Sequence, residues 1–244
     1  MSVFVVSGEP GCKLVVEKNA IAVVVDALRA SATINVLFHL GAKEILVVSE
    51  VKQAFELKNK YPDAILVGER KNIKIPGFDF GNSPVEILKL GENFFKNKKI
   101  IFTSTTGAKR IIACKGAEEV FVGSCVNAQA VAKIAFELAK RKNKDIIIIP
   151  AGVYGKKDWS TEDLFASLFI AEKIPLPLEK VYPDIKEPGD LKNAFFNSCH
   201  GKELIKAGFK HDVEFCSDTD LMDTVAKVVK FEGNTAILKS YVII

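Results

Sequence analysis

The stretch IAVVVDALRASATI, residues 21–34, decides how the rest of the chain is read. Five apolar residues, three of them valine, run into Asp26, and Arg29, Ser31 and Thr33 follow within seven positions. A short continuous apolar run without alternation reads as a strand buried on both faces, the habit of parallel sheets covered by helices. Such a strand stops at a charge when its end opens on something polar. In parallel α/β sheets, ligands bind outside the carboxyl ends of the strands. Asp26 and the hydroxyls behind it therefore read as one wall of a polar crevice.

Working outward, the same grammar repeats. Further apolar runs at 44–49, 64–70, 98–105, 118–124 and 145–152 read as strands. Helical patterns separate them, at 31–41, 51–61, from Pro84 onward, within GAKRIIACKG, and in the long amphipathic VNAQAVAKIAFELAKRKN. Strands alternating with helices of this length give an α/β class, a three-layer α/β/α arrangement with a mainly parallel or mixed sheet in one domain over 1–244. GAKEILVVSEVKQA at 41–54 and GAEEVFVGSCVNAQ at 116–129 coincide at six of fourteen positions. This echo reads either as two related β-α-β-α-β units, about 21–75 and 98–155, or as convergence of two such units on one pattern. Farther on, DWSTEDLFASLFIAEKI reads as a helix whose Ser160 and Asp163 suit a capping box. PLPLEKVYPDIKEPGD reads as loop, LKNAFFNSCHGKELIKAGF as helical at first, and AILKSYVII as a terminal strand.

Composition narrows the function classes. The chain has 244 residues, 48% hydrophobic and 26% charged, with net charge +4. Charges alternate in sign and no basic block or arginine-rich arm occurs, so nucleic-acid binding has no support. No apolar run approaches the length needed to span a bilayer, and the N-terminus lacks the pattern of a signal peptide. Five cysteines without a Cys-x-x-Cys pair suit reduced thiols in a cytoplasm. Four residues only are arginine, Arg29, Arg70, Arg110 and Arg141, against a lysine-dominated surface. Such scarce arginines belong where a planar, bidentate fork is useful.

Three strand ends carry the candidate chemistry. The first offers Asp26, Arg29 and Ser31, the strand at 64–70 offers Glu69 and Arg70, and 98–105 runs into a Thr-Ser-Thr-Thr-Gly turn before a helix. Hydroxyls and N–H groups at a helix start favour an anion such as phosphate. Arginines complement that anion, and carboxylates suit a hard divalent cation bridging to it. Each piece also has a plain structural reading: Asp26 as acceptor of backbone N–H groups, Glu69–Arg70 as a solvated pair, the turn as a helix cap. The P-loop pattern is absent. The second aspartate of the haloacid-dehalogenase phosphatases is missing after Asp26, and Cys199 lacks the arginine of a cysteine-phosphatase loop. The three histidines show no metal-ligand spacing, and His200 in SCHGKEL reads as structural or as a loop contact.

Taken together, VVVDALRASATI, VGERKNIKIPGFDFGNSPVEI, TSTTGAKR, STEDLFAS and SCHGKELIKAGFKHDVEFC resemble the pattern of the 2-phosphosulfolactate phosphatase family over roughly residues 21–216. The segment GERKNIKIPGFDFGNSP is the most specific of these. The resemblance implies a magnesium-dependent phosphatase that hydrolyses 2-phospho-3-sulfolactate to 3-sulfolactate and phosphate, in a coenzyme M or sulfolactate pathway. It implies a small anionic phosphorylated substrate as the partner, and a homo-oligomer is compatible with it. Carried over by position, it marks Asp26, Arg29 and Asp163 as catalytic, with Glu162 beside Asp163 in the same acidic motif. It marks Ser31, Arg70, Asn82, Ser83, Thr105, Thr106 and Gly107 as substrate-binding. Asp26, Glu69, Asp79 and Asp163 become the magnesium ligands, with Asp26 either ligand or nucleophile. One departure falls in the turn, where the family's Thr-Thr-Asn-Gly-Thr is replaced by Thr105, Thr106, Gly107 and Ala108 after Ser104. An amide and a hydroxyl are lost there, which leaves backbone contacts to an anion. The alternatives are a phosphatase for another small phosphorylated acid and a non-catalytic anion-binding protein.

Overall fold

The computed structural model describes residues 1–152, 160–179 and 190–241. In chain order the first half comprises β1 (Val3–Val5), α1 (Gly8–Glu17), β2 (Ile21–Val25), α2 (Ala30–His39), β3 (Glu44–Val48), α3 (Val51–Lys60), β4 (Ile65–Arg70), β5 (Ile73–Lys74), α4 (Pro84–Leu90) and α5 (Glu92–Phe95). The second comprises β6 (Lys99–Thr103), α6 (Gly107–Ala113), β7 (Glu119–Val122), α7 (Ala128–Lys142), β8 (Ile146–Pro150), α8 (Thr161–Ala171), β9 (Leu178–Glu179), α9 (Leu191–Asn197), α10 (Cys199–Lys206), α11 (Lys210–Ser217), β10 (Val225–Glu232) and β11 (Thr235–Tyr241). No described helix is long and apolar enough to cross a membrane.

Among the described residues, eleven strands form one mixed sheet in the order β5-β4-β6-β3-β11-β10-β7-β2-β8-β1-β9, flanked by helices as a three-layer α/β/α fold. Every residue of β2 and β8 is buried, as their unbroken apolar runs require of strands covered on both faces. The strands of the two echoing stretches do not form separate sheets. β6 lies between β4 and β3, all parallel, and β2 lies between β8 and β7, all parallel. The antiparallel hairpin β10–β11 joins these two blocks, β11 to β3 and β10 to β7. Three antiparallel pairings in succession make the blocks run in opposite directions. α2 packs on β10 and α6 on β11, and the two helices touch over the hairpin. This brings the carboxyl end of β2 to the start of α6.

Several elements depart from the reading of the sequence. The chain opens with β1 and α1, which no apolar run announced, because β1 is only three residues long. The closing segment is a hairpin and not one strand; β10 runs from a buried first half to an exposed second half, and the turn at Gly233 has positive φ. Asp163 does not complete a capping box, for Ser160 makes no side-chain cap at the start of α8. Most of the loop expected over 175–190, and the last residues of both the terminal strand and the second unit, lie outside the described residues.

Candidate active site

The end of β2 is shaped by its own hydrogen bonds. The Ser31 hydroxyl accepts from the Asp26 N–H at 2.9 Å and donates weakly to the Val24 carbonyl, while Asp26 Oδ1 accepts from the Ala30 N–H at 3.3 Å. The turn into α2 is thereby tied, and the Asp26 carboxyl is held at the helix start. The Gly107 N–H, at the start of α6, also donates to it. The approach is close: a Cβ on Gly107 would stand 2.6 Å from Asp26 Oδ2 and 3.0 Å from Ala30 Cβ. Burial pushes the Asp26 pKa up, and Glu69 adds to this; the charge of His200 and the two N–H bonds oppose it, with a net rise above the usual carboxylate range.

Asp26 lines a cavity of about 450 Å³. The opposite wall comes from the strand end of β4 and the β6–α6 turn. Glu69 Oε1 accepts from the Thr105 N–H at 2.7 Å and Oε2 from the Asn72 N–H at 2.9 Å, which pins those two segments together. The third wall is the start of α8. Asp163 Oδ1 accepts from the Ala27 N–H at 2.7 Å and Oδ2 from the Gly152 N–H at 3.0 Å, so the carboxylate ties α8 to the ends of β2 and β8. Its pKa lies well above the usual range because it is buried and because Asp26 and Glu162 stand near it.

Arg29 reaches the cavity with a guanidinium that is 2% exposed. Its Nη1 donates to Asp212 Oδ2 at 2.6 Å, and its plane lies 4.3 Å from the Phe209 ring. Asp212 also accepts from the Ser83 hydroxyl at 2.7 Å and from the Val85 N–H at 3.3 Å. One buried carboxylate thus fixes both Arg29 and the start of α4. The fourth wall carries His200 on α10. Its Nε2 is 2.9 Å from Asn72 Oδ1 and its Nδ1 3.5 Å from Glu162 Oε1.

Of the residues expected at the site, Asp26, Arg29, Glu69, Asn82, Thr105, Thr106 and Asp163 line this one cavity. Gly107 meets it through Asp26. Ser31, Arg70, Asp79 and Ser83 are placed elsewhere. Ser31 is spent on the β2 turn and Ser83 on Asp212 and on capping the Glu86 N–H. Arg70 alternates with Glu69 along β4 and so points to the other face, where it donates to the carbonyls of Ser49 and Glu69 and to the Thr103 hydroxyl. Asp79 accepts from the Leu66 N–H at 2.8 Å and joins no carboxylate of the cavity. Sequence reasoning passed over Lys71, Asn72 and Glu203, which line the cavity, and Asp212, which holds Arg29. Asn72 has positive φ beside Lys71, a turn signal in GERKN that was available.

As a metal site the cavity offers mostly carboxylate, amide and hydroxyl oxygens, with Cys199 and His200 also in its lining. Among the described residues no three carboxylate, histidine or cysteine side chains converge as a ready cluster. Two buried oxygens in the cavity wall, Asn82 Oδ1 and Thr105 Oγ1, have no hydrogen-bond partner. Carboxylates and a spare amide oxygen suit a hard cation, and the Thr105 hydroxyl can donate to an anion.

Comparison with known proteins agrees with this site. Residues 12–230 match the family model described as 2-phosphosulpholactate phosphatase. A probable 2-phosphosulfolactate phosphatase of Carboxydothermus hydrogenoformans is 36% identical over 223 residues, covering 89% of this chain and 90% of that protein. A protein of the same description from Clostridium acetobutylicum is 34% identical over 228 residues, covering 88% and 92%. With the match running through all four walls of the cavity, the chain belongs to the 2-phosphosulfolactate phosphatase family, a family of phosphoric monoester hydrolases.

Proposed function

We propose that the cavity hydrolyses 2-phospho-3-sulfolactate to 3-sulfolactate and phosphate, with a magnesium ion bound beside the phosphoryl group. The observation that carries this reading is the closure of Asp26 against the start of α6. A buried carboxyl, a guanidinium and backbone N–H groups meet there in one cavity, which is what phosphoryl transfer needs: positioning and a fixed electrostatic field. Asp26 acts on the phosphoryl group either as nucleophile or through the metal. Arg29, held rigid by Asp212 and Phe209, faces the equatorial oxygens, where charge builds in the transition state.

Charge balance supports a cation. Asp26, Glu69, Glu162, Asp163 and Glu203 line the cavity, against Arg29, Lys71 and His200, and Arg29 is already paired with Asp212. Asp26 and Asp163, whose pKa values are raised, ionise most readily against a cation, and a phosphate ester that also carries a sulfonate and a carboxylate would be repelled by the wall they then form. Magnesium, taken up between Asp26 and the phosphoryl oxygens with water completing its shell, would offset that repulsion and polarise those oxygens; no preformed cluster of three carboxylates is needed for an ion that binds through one or two of them and the substrate. The unpartnered Thr105 hydroxyl offers the ester a donor, and the unpartnered Asn82 Oδ1 an acceptor for the metal or its water. Reduced cysteines, all five unpaired, suit a cytoplasmic setting for this chemistry.

The test is phosphate release from 2-phosphosulfolactate and from the analogue lacking the sulfonate, each with magnesium and after chelation. The sulfonated ester should have a kcat/KM higher by orders of magnitude, because buried polar groups left unpaired cost a few kcal/mol. Chelation should abolish turnover. Equal rates on the two esters would reject sulfonate recognition, and full turnover after exhaustive chelation would reject the metal.

A further inference from the structure

We infer that His200 is the general acid that protonates the departing ester oxygen, with Glu162 holding it and Asn72 marking where that oxygen sits. The inference rests on the phosphatase reading above and adds a residue that the reading does not use. It stands on geometry. Both ring nitrogens of His200 face acceptors, the Glu162 carboxylate at 3.5 Å and the Asn72 amide oxygen at 2.9 Å. Protonated, an imidazole so placed donates from both nitrogens to these two acceptors. It cannot be a nucleophile or a metal ligand in that state, but it can donate. Glu162 is 3% exposed and has no other cation beside it among the described contacts, which is the arrangement that orients a catalytic histidine.

The surrounding charges agree. Burial works to lower the His200 pKa, but the hydrogen bond and charge of Glu162, with the charge of Asp26 at the end of β2, outweigh burial and the opposing charge of Arg29. Glu69 and Lys71 from β4 and its turn, and Glu203 one helical turn along α10, complete the charged groups around the ring. Glu162, buried at the start of α8, is the acceptor that faces Nδ1. Asp163, the other candidate acid, has an N–H donor on each oxygen and is placed as an acceptor.

The ester oxygen of a secondary alcohol is a poor leaving group, so its proton matters. As the nucleophile's bond to phosphorus forms, the P–O bond to the ester oxygen breaks and both electrons stay on that oxygen. The Nε2 proton, shared with Asn72 Oδ1 before substrate binds, moves to it. The products of this step are the alcohol, neutral imidazole and the phosphoryl group on the nucleophile, as phospho-Asp26 where Asp26 attacks or as inorganic phosphate where water does. The imidazole regains its proton from the water that completes hydrolysis.

The experiment uses the whole protein, His200→Gln, and two substrates: 2-phosphosulfolactate and its analogue with sulfur at the bridging position. A thiolate departs without a proton. His200→Gln should lose about 10²–10⁴-fold in kcat on the oxygen ester, the usual size of acid catalysis, and less than about tenfold on the sulfur analogue. The basic limb of the wild-type kcat/KM profile on the oxygen ester should also vanish in the variant. Equal losses on both substrates, or an unchanged basic limb, would overturn the assignment and leave His200 a positioning residue. A wild-type protein that releases phosphate from neither substrate would instead overturn the phosphatase reading. A thermal melt checks that the variant is folded, and His200→Asn replaces it if it is not.

Discussion

Asp26 shows how burial and hydrogen bonding contend for one carboxyl. Asparagine keeps one acceptor oxygen for the Ala30 and Gly107 N–H groups but removes the carboxylate that the proposed reaction uses, as nucleophile or as metal ligand. Asp26→Asn is therefore expected to remain folded and to lose at least roughly a hundredfold in kcat, about 2.7 kcal/mol of transition-state stabilisation. Partial recovery at high magnesium would mark a ligand, and no recovery a nucleophile; a folded variant with near-normal kcat would remove Asp26 from the chemistry. Asp212 plays a different part, since it touches Arg29, Ser83 and Val85 and does not line the cavity. Truncating one member of a buried ion pair leaves the other charged and unpaired, so Asp212→Ala should cost roughly 3–5 kcal/mol in a denaturant melt. A loss under about 1 kcal/mol would show that water replaces the carboxylate freely. The His200–Glu162 pair carries a pH signature of its own. A histidine whose folded pKa is raised contributes stability that is fully present below its unfolded value of about 6.5 and is lost as pH rises through the folded value. At the acidic end the contribution fades as Glu162 protonates below its usual pKa. The difference in melting temperature between wild type and His200→Gln should therefore be largest in weak acid and vanish in alkali, and a difference that grew with pH would contradict the pairing.

Strand alternation explains which site residues were legible. Asp26, Glu69, Thr105 and Thr106 were found because strand ends in a parallel block are where ligands bind, and the apolar runs locate those ends to within a residue or two. Direction is harder, because a shift of one residue turns a side chain to the other face. Arg70 follows Glu69 and is lost to the far side of β4 for that reason, and no pattern in GERK distinguishes the two. Asp79 and Ser83 carry motif residues whose work is local, tying a loop to Leu66 and capping α4. Asp212 and His200 were out of reach because their partners lie 183 and 128 residues away, and no periodicity encodes such contacts. The short helix α6 supplies a prediction on this scale. Its first residue must be glycine for the backbone to lie against Asp26, since a methyl group there would meet Oδ2 and Ala30 Cβ. Gly107→Ala should lower kcat by at least about tenfold with a smaller effect on the melt, because the contact it breaks belongs to the cavity wall. Wild-type kcat in that variant would show that α6 can withdraw without consequence.

The whole molecule depends on the last described segment of the chain. β10 and β11 are not an edge addition; they stand between β3 and β7 and join two parallel blocks that have no other strand pairing between them. Val225, Ala226, Ala236 and Leu238 are buried in the same core as β2 and β8. The hairpin also lies under α2 and α6, whose first turns bring Gly107 against Asp26. Without it, β3 and β7 would present unpaired backbone edges flanked by apolar surface, a template for association with other chains. Such a sheet closes late, because its central pairings join residues far apart in sequence and loop closure must precede them. Deleting residues 225–241 is therefore expected to yield aggregated protein and not a smaller active one, although every cavity residue named above is retained. Sedimentation of the expressed product, with circular dichroism on any soluble fraction, reads the outcome. A soluble, cooperatively melting deletion variant that still released phosphate would mean that the two blocks hold their register through helices alone, and that the hairpin is a passenger in the sheet.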